Sequence, residues 1–172
     1  MSVMGGTEYT VEKIIDFLRT SVDVGGPSRL NAKLKEYADG RPNVCSMSPV
    51  FKFYRSDQNS PIEPPAVFVI PIGSKTHREN SGNMMWFTDV IDLRVVIQDI
   101  KEVNMTRSIL RYADALIHLL HLEQLTEDAI TIIIKCISTE FSPLLVPTDS
   151  KERGFRREAS IRLEVERYER LN

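Results

Sequence analysis

The sequence predicts an α+β fold: a mostly antiparallel β-sheet with helices packed on one face, and extended loops. Three observations predict it. Long stretches alternate apolar and polar residues with period two, as in "WFTDVIDLRVVIQDI" and "REASIRLEVERYE". Other stretches, "VEKIIDFL" and "TRSILRYADALIHLLH", carry apolar residues at helical spacing on one side only. The order is helix, helix, a proline-bounded extended segment, two strands, helix, two strands. A one-sided sheet is the economical way to bury such a set of amphipathic elements.

Taken in order, Thr10 is a suitable N-cap for a helix to about Thr20, with Val11, Ile14, Ile15 and Leu18 on one face. The glycines and proline of "DVGGPS" stop it. A second helix is predicted from Ser28 to Ala38, with Gly40 as its stop. Prolines 42, 49, 61, 64 and 65 punctuate the next segment. Within it "VFKFYR" is predicted as an edge strand or extended loop, since each proline removes a ladder donor. "AVFVIPI", residues 66–72, reads as a buried strand, residues 73–85 as a polar loop, and the two strands around that loop as a hairpin. In the second strand Ile91, Leu93, Val95 and Ile97 form the apolar row, while Asp92 and Arg94 stand on the other face. Thr106 is predicted to cap a helix over 106–122. Ile109, Leu110, Ala113, Leu116, Ile117 and Leu120 face the core there, and Arg111, Asp114 and His118 face away. "AITIIIKCIS", residues 129–138, reads as a central strand. A loop over 142–156 leads to a last strand over about 157–168. Ala159, Ile161, Leu163 and Val165 are its buried row; Arg162, Glu164, Glu166 and Arg157 decorate its outer face.

A chain of 172 residues can bury a sizeable core and reads as one domain, 1–172. Its net charge of −2 is too balanced for a protein that holds nucleic acid by bulk electrostatics. Two cysteines in different contexts, Cys45 and Cys136, fit a reducing compartment better than a disulfide. Neither a secretory leader nor a membrane span is expected, because the apolar runs are too short.

Motifs for chemistry are sparse. His118 and His121 stand three apart on a helix, which suits shared ligation, but no third ligand is nearby. "GGPS" lacks the spacing of a phosphate loop and follows a helix. No GxSxG occurs, and neither cysteine sits at an electropositive helix start. No catalytic residue, cofactor or metal is therefore assigned. An enzyme using His118, His121 or the acidic strand face is the least favoured of the functional alternatives. Lys151, Arg153, Arg156 and Arg157 are interleaved with Asp149, Glu152 and Glu158, which dilutes any phosphate-binding patch.

Two features are better suited to assembly. One is the pair of predicted long loops, the second carrying the apolar knob Leu144, Leu145 and Val146 between prolines. The other is the pair of charged strand faces, Asp92 with Arg94 and Arg162 with Glu164 and Glu166.

This succession resembles the tail terminator and tail-completion proteins of long-tailed bacteriophages. It runs from an N-terminal helix through "PPAVFVIPIG", a polar loop, "WFTDVIDLRVVIQDI", "TRSILRYADALIHLLH" and "AITIIIKCIS" to "REASIRLEVERYE". The resemblance spans roughly residues 10–170 and is a pattern of elements; no single residue is diagnostic. It implies a structural virion protein at the head-proximal end of the tail, assembled in the host bacterial cytoplasm and without catalytic residues or cofactor. Such a protein forms a ring, commonly a homohexamer, that caps the tail tube, terminates tail polymerisation and joins tail to head. The implied partners are further copies of itself, the major tail tube protein and the head–tail connector, with DNA only passing through the lumen and no membrane. The alternative is a connector or neck protein that docks on the portal side. Leu144, Leu145 and Val146 are then expected as an apolar anchor. Arg153, Arg156, Asp92, Arg94, Arg162, Glu164 and Glu166 are expected to line a subunit contact or the lumen.

Overall fold

The structure, a computed structural model, describes residues 6–37, 52–55, 64–77, 84–99, 102–144 and 154–170. Its elements are α1 (Thr7–Arg19), α2 (Arg29–Glu36), β1 (Lys52–Arg55), β2 (Ala66–His77), β3 (Met84–Asp99), α3 (Glu102–Leu120), β4 (Gln124–Glu127), β5 (Ile130–Phe141) and β6 (Phe155–Arg170). The fold class is the expected one. Six strands form a single sheet in the order β1-β2-β3-β6-β5-β4, and every neighbouring pair is antiparallel except β1 with β2.

The central pair, β3 and β6, runs in unbroken register from Met84 opposite Arg170 to Asp99 opposite Phe155. Strand parity then assigns the faces. Ile91, Leu93 and Val95 pair with Leu163, Ile161 and Ala159, and all six are fully buried. Val67 and Val69 of β2 and Ile132 and Ile134 of β5 extend this layer to both sides. The helices cover it: Ile14, Leu18, Leu30, Leu34, Ile109, Leu116 and Leu120 belong to the same buried cluster. Side chains at even positions of β3 and β6 point to the opposite face, which no described helix covers.

Several boundaries differ from the expected ones for identifiable reasons. Helix α1 begins at Thr7 behind Gly6, whose φ of 129° is a glycine conformation. Thr10 does not cap it, because the hydroxyl is committed to a buried carboxylate of β3. Ser28 does cap α2, accepting from the Asn31 backbone N–H at 3.3 Å. The helix ends at Glu36; Ala38 and Gly40 lie outside the described residues. Helix α3 begins at Glu102, which places Thr106 inside it, where its hydroxyl receives a hydrogen bond from Arg157. Leu110 is more exposed than its position in the predicted arc implies.

Both described ends of the predicted loop over 73–85 are strand, since β2 continues to His77 and β3 starts at Met84; residues 78–83 lie outside the described residues. Polar composition misled there, since a hairpin arm clear of the core needs no apolar row. At the end of the predicted second loop, 142–156, β6 already starts at Phe155, and residues 145–153 lie outside the described residues. The edge assignment for the "VFKFYR" segment holds, with β1 at the sheet margin. The "AITIIIKCIS" strand is not central. Among the described residues its outer edge is covered by the short strand β4, which the sequence reading missed, and then by the α3–β4 turn and His121 as far as Cys136.

Candidate assembly surface

On the helix-free face, three aromatic rings line up across β2, β3 and β6. His77 stacks on Trp86 with centroids 4.4 Å apart, and Trp86 on Tyr168 at 6.0 Å. The register dictates this, since His77 lies opposite Trp86 and Trp86 opposite Tyr168. His77 Nε2 is 3.0 Å from Thr88 Oγ1. Tyr168 donates to Glu166 Oε2 at 2.9 Å, and Lys135 of β5 donates to Glu166 Oε1. The hydrogen bonds from Lys135 and Tyr168 hold the Glu166 carboxyl below its ordinary value, and the one to Glu166 raises Lys135.

Further along the same face, Asp92 lies opposite Arg162 on one side and Ile70 on the other. Asp92, expected on the outer charged face as a contact or lumen residue, is only 7% exposed within the chain itself. It accepts from the Ser160 hydroxyl, and the Arg94 guanidinium stands 3.7 Å away. Asp92, Arg94 and Arg162 line one shallow depression, with Glu140 and Glu158 as acidic neighbours. Glu164 and Glu166 line another, beside His77 and Trp86. Arg156 pairs with Glu158 at 2.7 Å. Arg157 is not on this face. Its parity sends it to the helix side, where it donates to Thr106 Oγ1 at 2.8 Å and to the Ser142 carbonyl at 3.2 Å.

Of the proposed apolar anchor, Leu144 is half-buried and packs against the chain's own core. Leu145, Val146 and Arg153 lie outside the described residues. The two histidines are engaged apart from one another. His118 Nδ1 is 3.3 Å from the Tyr37 hydroxyl, while His121 Nδ1 accepts from the Cys136 backbone N–H at 3.2 Å. Among the described residues no group of three potential ligands comes together. Burial pushes the Cys136 thiol up to about 11.

The sequence reading missed the polar group beneath the helices. Asp89, fully buried, accepts from Thr10 Oγ1 at 2.6 Å, Thr7 Oγ1 at 3.3 Å and Arg167 Nε at 3.0 Å. Arg167, 2% exposed, lies 4.1 Å over the Phe87 ring and also pairs with Glu169. Burial raises the Asp89 carboxyl, but hydrogen bonds from Arg167, Ser74 and Thr10 outweigh it and hold the group below its ordinary value. This group ties α1 to β2, β3 and β6. A signal existed: the buried row 159, 161, 163, 165 continues by parity to Arg167, and 91, 93, 95 continues back to Asp89.

No protein-family model matches the chain, and no curated protein matches it. Among solved structures, the chain is similar to one from the virion of a native gene transfer agent particle. The two are 14% identical, the likeness covers 85% of this chain and 99% of that one, and the TM-score is 0.46. No described helix is long and apolar enough to cross a membrane.

Proposed function

We propose that this chain is a non-enzymatic structural protein of a long-tailed virion, a ring-forming tail terminator that caps the tail tube and joins tail to head. The supporting observation is the one-sided sheet. All the described helices lie on one face, and the other presents rows of mutually neutralising charge on β3, β6 and β5. Such a face can meet neighbouring subunits or a lumen without carrying a large field of either sign. The element order is also that of the tail-terminator pattern, and a terminator needs a ring that closes and has two unlike faces. In this reading the partners are further copies of the chain, the tail tube protein and the head–tail connector.

Native mass spectrometry and negative-stain imaging with purified tail tube protein test the reading. A closed ring, free or seated on the tube end, is expected. A strict monomer at high concentration that also ignores tube protein would overturn it.

A further inference from the structure

Among the described residues two strand edges are open, and they lie on opposite sides of the sheet. Strand β1 covers β2 only from Ala66 to Val69. Strand β4 covers β5 only from Ile130 to Ile133, and the α3–β4 turn and His121 extend that cover to Cys136. Beyond these points nothing among the described residues pairs with the outer edge of Gly73–His77 or of Ser138–Phe141. Each open stretch starts at a β-bulge whose extra residue is an exposed isoleucine: Ile72, 54% exposed, and Ile137, 57% exposed. Bulges and charged side chains such as Lys75 and Glu140 are devices that limit indiscriminate pairing, while the exposed isoleucine at each bulge leaves an apolar contact for a matched partner.

Building on the ring reading above, we infer that the chain associates head to tail with copies of itself by antiparallel pairing of Gly73–His77 with Ser138–Phe141 of the next copy. The sense is right: β2 and β5 run in opposite directions, so copies side by side in one orientation continue the antiparallel alternation. The faces agree as well. Lys75 and His77 share the helix-free face with Ser138 and Glu140, because they pair with Thr88 and Trp86, Arg162 and Ser160. Setting Lys75 opposite Glu140 puts an exposed cation against an exposed anion, Thr76 against Thr139 and His77 against Ser138.

The offset between the two edges then sets the geometry. Lys75 shares a row with Thr88, whereas Glu140 shares one with Ser160 and Arg94. Thr88 and Arg94 are about six residues apart on β3, so neighbouring copies are displaced along the strands by ~20 Å at ~3.4 Å per residue. Strands β2, β3, β6 and β5 separate equivalent positions, a width of ~19 Å at ~4.8 Å per strand. The strand tilt that makes such copies level is roughly 45°, at the upper end of the range of about 35–45° found in closed barrels. Strand β3 passes through α3 to the parallel strand β5, and the usual right hand of that crossover fixes the direction of the offset. With right-handed strand coiling, the ring closes with helices outside and Arg162, Glu164 and Glu166 facing the lumen.

The test is cysteine cross-linking of a Thr76→Cys, Thr139→Cys variant in a background with Cys45→Ser and Cys136→Ala. Mild oxidation at high protein concentration should give a ladder beyond dimer on a non-reducing gel. Each single-cysteine variant should stay monomeric, and an equal mixture of the two should stop at dimer. Charge reversal at exposed positions is independent of the cysteine background. Lys75→Glu or Glu140→Lys alone should lower assembly at least tenfold, and the two together should restore most of it. Rings in native mass spectra with no ladder and no effect of charge reversal would overturn the edge pairing while leaving the ring reading intact. Monomers in every assay, with tube protein present, would overturn both.

Discussion

At the scale of single residues, the buried Asp89–Arg167 pair is a point where one substitution has a large effect. Removing one partner strands the other charge in the interior, a situation that costs about 3–5 kcal/mol. Asp89→Asn and Arg167→Met are each expected to fall in that range by urea denaturation. Replacing both with apolar residues should cost less than either single change, because no uncompensated charge then remains. The pH dependence follows from the depressed carboxyl. Its stabilising contribution is full above the unfolded value of about 4 and is lost as pH falls through the lower folded value. Stability against pH below ~4 should therefore be steeper for the parent chain than for Asp89→Asn. The pair escaped sequence reading because polar residues are ordinarily placed outside the buried row. Alternation carried back from Ile91 and on past Val165 would have reached both positions; only the structure supplies Thr10, Thr7 and Arg167 around the Asp89 carboxylate.

Among the elements, the strongly periodic ones were legible. Strands β3 and β6 and the core face of α1 follow directly from which residues repeat, since burial selects Ile91, Leu93 and Val95 or Ile161, Leu163 and Val165 by parity. What was not legible depends on partners distant in sequence. The β2 arm from Gly73 to His77 has little apolar character of its own and is strand because β3 offers it a ladder. Strand β4, only four residues long, exists because β5 is there to pair with it. Its entry turn is strained: Leu122 has φ 64° and is 64% exposed, so its side chain contributes little packing in return. Leu122→Gly is expected to raise stability by about 0.5–1 kcal/mol, the left-handed cost of ~1–2 kcal/mol being partly offset by glycine's unfolded-state entropy. The α2 cap gives a change of opposite sign: Ser28→Ala removes the acceptor for Asn31 N–H and should cost about 1 kcal/mol, read by thermal melts.

At the scale of the whole molecule, the asymmetry of the sheet matters most. One face is sealed by helices, the other is mainly polar on β6 with Ala66 and Val96 buried at one end, and among the described residues the two long edges are covered over opposite halves. Sequence alternation showed the polar face, but not that Asp92 is buried in it or that the uncovered edges lie on a diagonal, because both depend on the register of four strands. The chain's single tryptophan is placed to report on assembly. Trp86 stacks between His77 and Tyr168, one strand in from the open edge of β2. Adding a neighbouring strand to that edge would turn a marginal site into an interior one, with less water around the indole. Emission should therefore shift to the blue and quenching by acrylamide should fall as protein concentration rises through assembly. In Glu140→Lys, which keeps Trp86 and its stack but opposes Lys75 with a like charge, both changes should move to higher concentration. A ring joined elsewhere would leave Trp86 emission the same in monomer and assembly, and Glu140→Lys would then have no spectral effect.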